Sequence, residues 1–210
     1  MLDLTREFGG IDIYLFDQLL RGRIAPGMRV LDAGCGSGRN LVYFLRNRYD
    51  VRGVDESQAA IASLRQLAAS LAPDLPPDNF RVEPVEAMTF PDRDADVVIS
   101  NAVLHFARDE AHFWRMLRGS WRVLRPGGLF FARLASSAGI ETAIEPLGDR
   151  RFRLPDGSTR YLVDEAYLAD AARVLGGTLA DPLKTTLVHG ARSMTTWVLR
   201  KNGQAAGRET

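Results

Sequence analysis

Cysteine is almost absent. Cys35 is the only one in the chain, which excludes an internal disulfide and a zinc cluster built on thiolates. Charge of one sign is missing too: 27 Lys and Arg stand against 26 Asp and Glu, a formal net charge of +1. A nucleic-acid binder carries a basic footprint, so no nucleic acid is expected as a partner. No apolar stretch approaches the length that spans a bilayer, and no membrane association is expected. Residues 1–7 are charged from the start and lack the apolar core of a secretory signal, so the cytoplasm is the expected location. Histidine is scarce: only His105, His112 and His189 occur. Their spacing offers no paired-ligand pattern, so no metal is expected. Repeats and low-complexity tracts are absent. A length of 210 residues suits one domain with small additions.

What is present is concentrated in one stretch. The apolar run Val30-Leu31 ends in Asp32, and Ala33-Gly34-Cys35-Gly36-Ser37-Gly38 follows. A helix-like segment begins at Arg39. A second apolar run ends in Asp55, about 20 residues after the loop, the spacing of a strand–loop–helix–strand nucleoside site. Gly34, Gly36 and Gly38 let the chain turn sharply and leave no Cβ to block a ligand. Backbone N–H groups opening the next helix face the same ligand. Asp55, at a strand tip, can accept both hydroxyls of a ribose. The dinucleotide fingerprint G-x-G-x-x-G would need glycine where Arg39 stands. Asp32 would repel a pyrophosphate and welcome a cationic group.

Hydrophobic periodicity sets the rest of the chain. Helices are expected over residues 11–20, 39–48, 57–71, 109–124 and 164–175. Ser57 caps the third of these, and Gly176 closes the last. Strands are expected over 28–33, 51–54, 80–85, 95–100 and 129–134, with a proline-rich loop over 74–78. Strand and helix largely alternate, the signature of an open parallel sheet with helices on both faces. After Ala135 the rhythm changes. Residues 151–162 read as a hairpin turning at Pro155-Asp156-Gly157. Two further strands, 183–188 and 194–199, flank His189-Gly190-Ala191. The expected division is one domain over 1–201, with a helical cap over 1–27 and a hairpin insert over 136–162. A polar tail over 202–210 is expected to be disordered.

The stretch from Asp32 to Gly38 resembles motif I, D-x-G-x-G-x-G, of the class I S-adenosylmethionine-dependent methyltransferases. Three other segments are similar to that family: Val85-Glu86-Ala87, Ile99-Ser100-Asn101-Ala102, and the turn Arg125-Pro126-Gly127-Gly128. The resemblance covers residues 28–134. It implies a Rossmann-like α/β fold, mostly parallel, ending in an antiparallel strand pair. It also implies S-adenosylmethionine as cofactor and S-adenosylhomocysteine as product. The implied cofactor-binding residues are Asp32, Ala33, Gly34, Cys35, Gly36, Asn40, Asp55, Glu56, Glu86, Ala87, Asn101 and Ala102. Of these, Glu86 and Ala87 would lie near the adenine amino group, and Asn101 near the methyl group.

Methyl transfer mainly aligns donor and acceptor, and a base matters only for an acceptor that arrives protonated. His105 follows the fourth strand as a candidate base or wall residue. His189 and Arg192, at the last turn, are candidates for holding an anionic acceptor. His112 is read as a surface or packing residue. Asp12, Tyr14 and Arg21 of the first helix are candidates to touch cofactor or substrate. Gly38-Arg39-Asn40 followed by Tyr43-Phe44 is similar to the tellurite-resistance branch of the family, which implies a tellurite- or selenite-type oxyanion as one acceptor. A small-molecule acceptor is the leading expectation, acting on a monomer or homodimer. A nicotinamide-dependent oxidoreductase and a non-catalytic cofactor-binding protein remain as alternatives.

Overall fold

Valine-, isoleucine- and leucine-rich runs become the central strands because both their faces are covered. The computed structural model describes residues 3–203. The strands are β1 (Arg29–Ala33), β2 (Asp50–Asp55), β3 (Phe80–Val82), β4 (Ala95–Asn101), β5 (Leu124–Ala135), β6 (Glu145–Gly148), β7 (Arg151–Arg153), β8 (Thr159–Tyr161), β9 (Gly177–Leu179), β10 (Lys184–Val188) and β11 (Arg192–Lys201). The helices are α1 (Leu4–Phe8), α2 (Ile13–Leu20), α3 (Val42–Arg46), α4 (Gln58–Leu71), α5 (Glu110–Val123) and α6 (Glu165–Leu175).

The main sheet runs β3-β2-β1-β4-β5-β11-β10, with β9 also paired to β11. The first five strands are parallel. β11 is antiparallel to β5, and β10 to β11. This is the expected α/β sheet with its terminal antiparallel pair. Alternate side chains feed two cores, as the period of a strand requires. Val30, Val97, Ile99, Leu129 and Phe131 meet Leu15 of α2, Phe44 of α3 and Ile61 of α4. Leu31, Val98, Phe130 and Trp197 meet Phe113 and Leu117 of α5 and Leu168 of α6. From β1 the chain order runs outward to β2 and β3, and from β4 outward to β5. That reversal leaves a crevice beyond the carboxyl ends of β1 and β4.

Helix ends follow local chemistry. The Ser57 hydroxyl accepts from Ala60 N at 3.2 Å, and the Asp164 carboxylate accepts from Tyr167 N at 2.8 Å. Gly176 closes α6 in the left-handed region, φ 67°.

Several boundaries differ from expectation. The helix expected over 39–48 shrinks to Val42–Arg46, because the chain before it is spent in turns. Gly38 N donates to Cys35 O at 3.0 Å and Leu41 N to Gly38 O at 2.9 Å. The third strand stops at Val82, since Pro84 has no N–H for the ladder, and Val85–Ala87 forms a 3₁₀ turn instead. The fifth strand extends back to Leu124. Three short elements carried no periodic signal: α1, β6 and β9. Phe8 at the end of α1 stacks on Tyr43 at 5.1 Å. The expected hairpin forms as β7 and β8, and β6 joins it as a third strand. Leu154 and Leu162 seat this insert against Ala135 of β5. Of the expected tail, residues 204–210 lie outside the described residues. No described helix is long and apolar enough to cross a membrane.

Candidate active site

A cavity of about 500 Å³ opens at the carboxyl ends of the parallel strands. Gly34, Asp55, Glu56, Glu86 and Ala102 line it, five of the residues expected from sequence. The loop is fixed from below. Gly34 N and Cys35 N both donate to Val54 O, at 2.8 and 2.9 Å. Gly34 has φ +83°, and a Cβ there would come within 2.4 Å of a Val103 methyl carbon. Only glycine lets the loop pass the chain leaving β4. Asp55 accepts from Gly36 N through one oxygen and from Ser57 N through the other, both at 2.9 Å. Each oxygen keeps a second lone pair for a ligand.

Asp32 is 1% exposed, and neither carboxylate oxygen has a partner among the described residues. Burial pushes its carboxyl up to about 7; Arg39 works against the rise and Asp55 adds to it. A buried carboxylate without donors costs several kcal/mol. Its chemistry fits a ligand bearing an ammonium group beside a ribose.

The remaining expected residues take varied places. Ala33 is buried in β1. Cys35 is buried, and burial pushes its thiol up. A Cβ at Gly53 would lie 2.9 Å from its sulfur, so the thiol fills space as a protonated group. Asn40 is buried, and its side-chain oxygen accepts from Asp12 N at 3.0 Å. That bond ties the N-terminal segment to the loop. Asn101 is buried at the end of β4, and neither atom of its amide has a partner. Ala87 is exposed in the 3₁₀ turn.

Sequence reasoning missed the support under Glu86. His112, read as a surface or packing residue, lines the cavity and is buried. Its Nδ1 accepts from Arg108 N at 3.1 Å. The proton therefore sits on Nε2, which lies 3.0 Å from a Glu86 oxygen and donates to it. The signal was present in the sequence. Asp109 caps α5 by accepting from His112 N at 2.6 Å, which places the third residue of the helix over its own start.

A second cavity, of about 380 Å³, adjoins the first. Ala102 lines both. Ala102 has φ +62°, and its N–H donates to Arg133 O at 2.8 Å. His105 and Arg192, two of the expected residues, line this second cavity with Arg133, Asp156 and Arg160. His105 Nδ1 accepts from Ala135 N at 3.2 Å, which leaves Nε2 to carry the proton. Burial and Arg160 lower its pKa to about 4. The ring is thus a neutral hydrogen-bond donor. Arg192 Nε pairs with Asp156 at 3.3 Å. His189 is exposed at the β10–β11 turn, φ +49°, and lies outside the lining of this cavity.

The N-terminal segment reaches the same place. Asp12 pairs with Arg133 Nη1 at 3.1 Å, and the Tyr14 ring lies 5.4 Å from that guanidinium. Tyr14 also bonds Thr186 at 2.7 Å. Arg21 is directed elsewhere, to Asp17 at 2.8 Å.

Residues 31–132 match the family described as a methyltransferase domain. A probable S-adenosylmethionine-dependent methyltransferase of Mycolicibacterium smegmatis is 30% identical over 128 residues, 59% of this chain and 46% of that protein. The chain spans about half the length of the curated relatives it matches. Among solved structures, the 1,6-didemethyltoxoflavin-N1-methyltransferase of Burkholderia thailandensis, with bound 1,6-didemethyltoxoflavin and S-adenosylhomocysteine, superposes with a TM-score of 0.71 at 21% identity. It covers 96% of this chain and 82% of its own. TehB from Haemophilus influenzae superposes at 0.67 with 20% identity, over 92% of this chain and 63% of its own. At these identities the structural likeness is one of fold. The matched stretch, a little under half of the chain, contains the glycine loop, Asp32 and the strand-tip Asp55, and over it the chain is similar to S-adenosylmethionine-dependent methyltransferases.

Proposed function

We propose that this protein moves a methyl group from S-adenosylmethionine to a small-molecule nucleophile by in-line displacement, leaving S-adenosylhomocysteine. The observation that carries the proposal is Asp32, a buried carboxylate with no donor, set between the glycine loop and Asp55. When bound, the cofactor supplies a methyl carbon on a positively charged sulfur, which is already a good leaving group. The protein's work is then to bind and align. Asp32 holds the ammonium end. Asp55 accepts the ribose hydroxyls with its remaining lone pairs. Glu86, oriented by His112, accepts from the adenine amino group. Asn101 and Ala102 border the reacting carbon, where the two cavities meet. Arg133 and Asp12 fix the wall of the acceptor cavity.

A tellurite- or selenite-type oxyanion acceptor is the second reading, favoured by the arginines on that wall. The test is calorimetric titration of the purified protein with S-adenosylhomocysteine, followed by assay of its release from S-adenosylmethionine across acceptors. Binding that weakens at least about tenfold in Asp55→Ala is expected, the loss of one charge-assisted contact or more. A wild-type protein that binds neither cofactor form ends the proposal.

A further inference from the structure

The acceptor cavity is unbalanced in both charge and hydrogen bonding. Of its three arginines, Arg133 is paired with Asp12 and Arg192 with Asp156. Arg160 makes no close ion pair among the described residues, and it acts on the Asp156 carboxylate only at longer range, behind Ser158 and Arg192. One of its guanidinium nitrogens donates to the Thr159 carbonyl oxygen at 2.7 Å, and the group lies 4.9 Å from the centre of the Phe106 ring. Phe106 lines the cofactor cavity, while Arg160 lines the acceptor cavity. The unpaired cation therefore stands at the junction between them.

The one carboxylate and the one imidazole acceptor on the cavity wall are already engaged. One Asp156 oxygen takes the Ser158 N–H at 2.9 Å and the Ser158 hydroxyl at 2.6 Å. The other oxygen faces Arg192. His105 Nδ1 is taken by Ala135 N. Donors are in excess: the Arg160 guanidinium, His105 Nε2–H, and the Ser193 hydroxyl, which is buried without a partner among the described residues and can donate or accept. A cavity of unspent donors and a spare cation selects a ligand that is anionic and hydrogen-bond accepting. A cationic or amine acceptor would meet three arginines and a single carboxylate on the same walls.

We infer that the methyl acceptor carries an oxyanion group, organic carboxylate or inorganic oxyanion, and that Arg160 of the β6–β8 insert is the residue that recognises it. This rests on the methyltransferase reading above. The acceptor arrives already deprotonated, so no base is needed. A lone pair of the nucleophilic atom forms the bond to the methyl carbon. The carbon–sulfur bond breaks, and its electron pair stays on sulfur. The sulfonium becomes a neutral thioether, the acceptor loses one negative charge, and no proton moves. The insert thereby acts as the specificity element of the enzyme, since β8 presents Arg160 and the β7–β8 turn presents Asp156.

The test uses the full chain loaded with S-adenosylhomocysteine. Benzoate is titrated against its neutral isostere benzamide, and selenite and tellurite form a separate arm. The same compounds are assayed for methylation with S-adenosylmethionine. At least one anion is expected to bind or turn over where benzamide does not. Its Kd or KM should rise about ten- to a hundredfold in Arg160→Gln, as loss of a charge-assisted contact implies, with partial rescue in Arg160→Lys. Arg192→Gln, at a more exposed position, should show a smaller rise and guards against a folding artefact at Arg160. A response to benzoate identifies organic acids, and a response to selenite or tellurite alone identifies inorganic oxyanions; either supports the inference. Equal binding of benzoate and benzamide with no response to the oxyanions overturns it, as does indifference of anion binding to Arg160→Gln. Titration of the unloaded wild type with S-adenosylhomocysteine is run in parallel. Failure there removes the methyltransferase reading, while the anion comparison, repeated on unloaded protein, still judges Arg160.

Discussion

The two adjoining cavities are built in opposite ways. The cofactor cavity draws on turns at the ends of neighbouring parallel strands and presents acids: Asp55, Glu56 and Glu86, with Asp32 buried beside them. The acceptor cavity gathers side chains from β5, the β6–β8 insert and β11, and presents arginines. The first suits a ligand with a cationic end and the second an anion. The opposite linings lie side by side and share Ala102. The comparison teaches that the parallel half of the molecule builds the acidic cavity, and that the segments added around it build the arginine-lined one.

The largest effect that would break this comparison is expected at the loop. Gly34→Ala places a Cβ 2.4 Å from Val103 at a positive φ. It should cost about 3 kcal/mol in urea unfolding, from backbone strain plus overpacking, and should abolish S-adenosylhomocysteine binding. An unchanged unfolding midpoint would show that the loop is not pinned against Val103.

The next effect separates Asp32 from every other acid. Burial pushes its carboxyl up to about 7, from an ordinary value of 3.8. A raised folded-state pKa contributes stability below the unfolded value, and that contribution is lost as pH rises through about 7. At pH 8 the ligand-free Asp32→Asn variant should therefore melt higher than the wild type. Cofactor binding needs the ionised form, so wild-type affinity should fall about tenfold per pH unit below about 7. Asp32→Asn should bind weakly and without that slope. A flat wild-type profile would contradict this assignment.

A smaller effect concerns His105. Its pKa is lowered to about 4 by burial and Arg160, so its contribution to stability is complete above the ordinary value of 6.5 and is lost as pH falls through about 4. Acid unfolding of His105→Gln should be less steep between those limits, and turnover should show no inflection from this ring above pH 6. The smallest effect sharpens the role of the N-terminal cap. Tyr14→Phe removes the bond to Thr186 and should cost about 1 kcal/mol or less, with KM for the acceptor changing more than cofactor affinity.

Legibility in the sequence followed contiguity. Asp32, Gly34 and Asp55 were readable because one turn and one strand spacing bring them together. The two-faced sheet was readable because alternation along β1, β4 and β5 feeds two cores. Helix 39–48 was read too long because its apolar period says nothing of the turns that consume its start. His112 was read as a surface or packing residue; it is buried, and its bond to Glu86, an acid in another turn, is set by the fold. Arg160 carried no signal at all, since a lone arginine in a hairpin has no pattern to belong to.

By itself the sequence determined the alternation of strand and helix that makes a parallel sheet, the glycine loop and the acid at the strand tip, because each is written in residues close together along the chain. Tertiary structure alone decided that, among the described residues, Asp32 is buried without a partner, His105 is a donor, and Arg160 has no close carboxylate partner. Those properties depend on which distant groups arrive within hydrogen-bonding reach and how much water they displace. No local pattern of residue types encodes either.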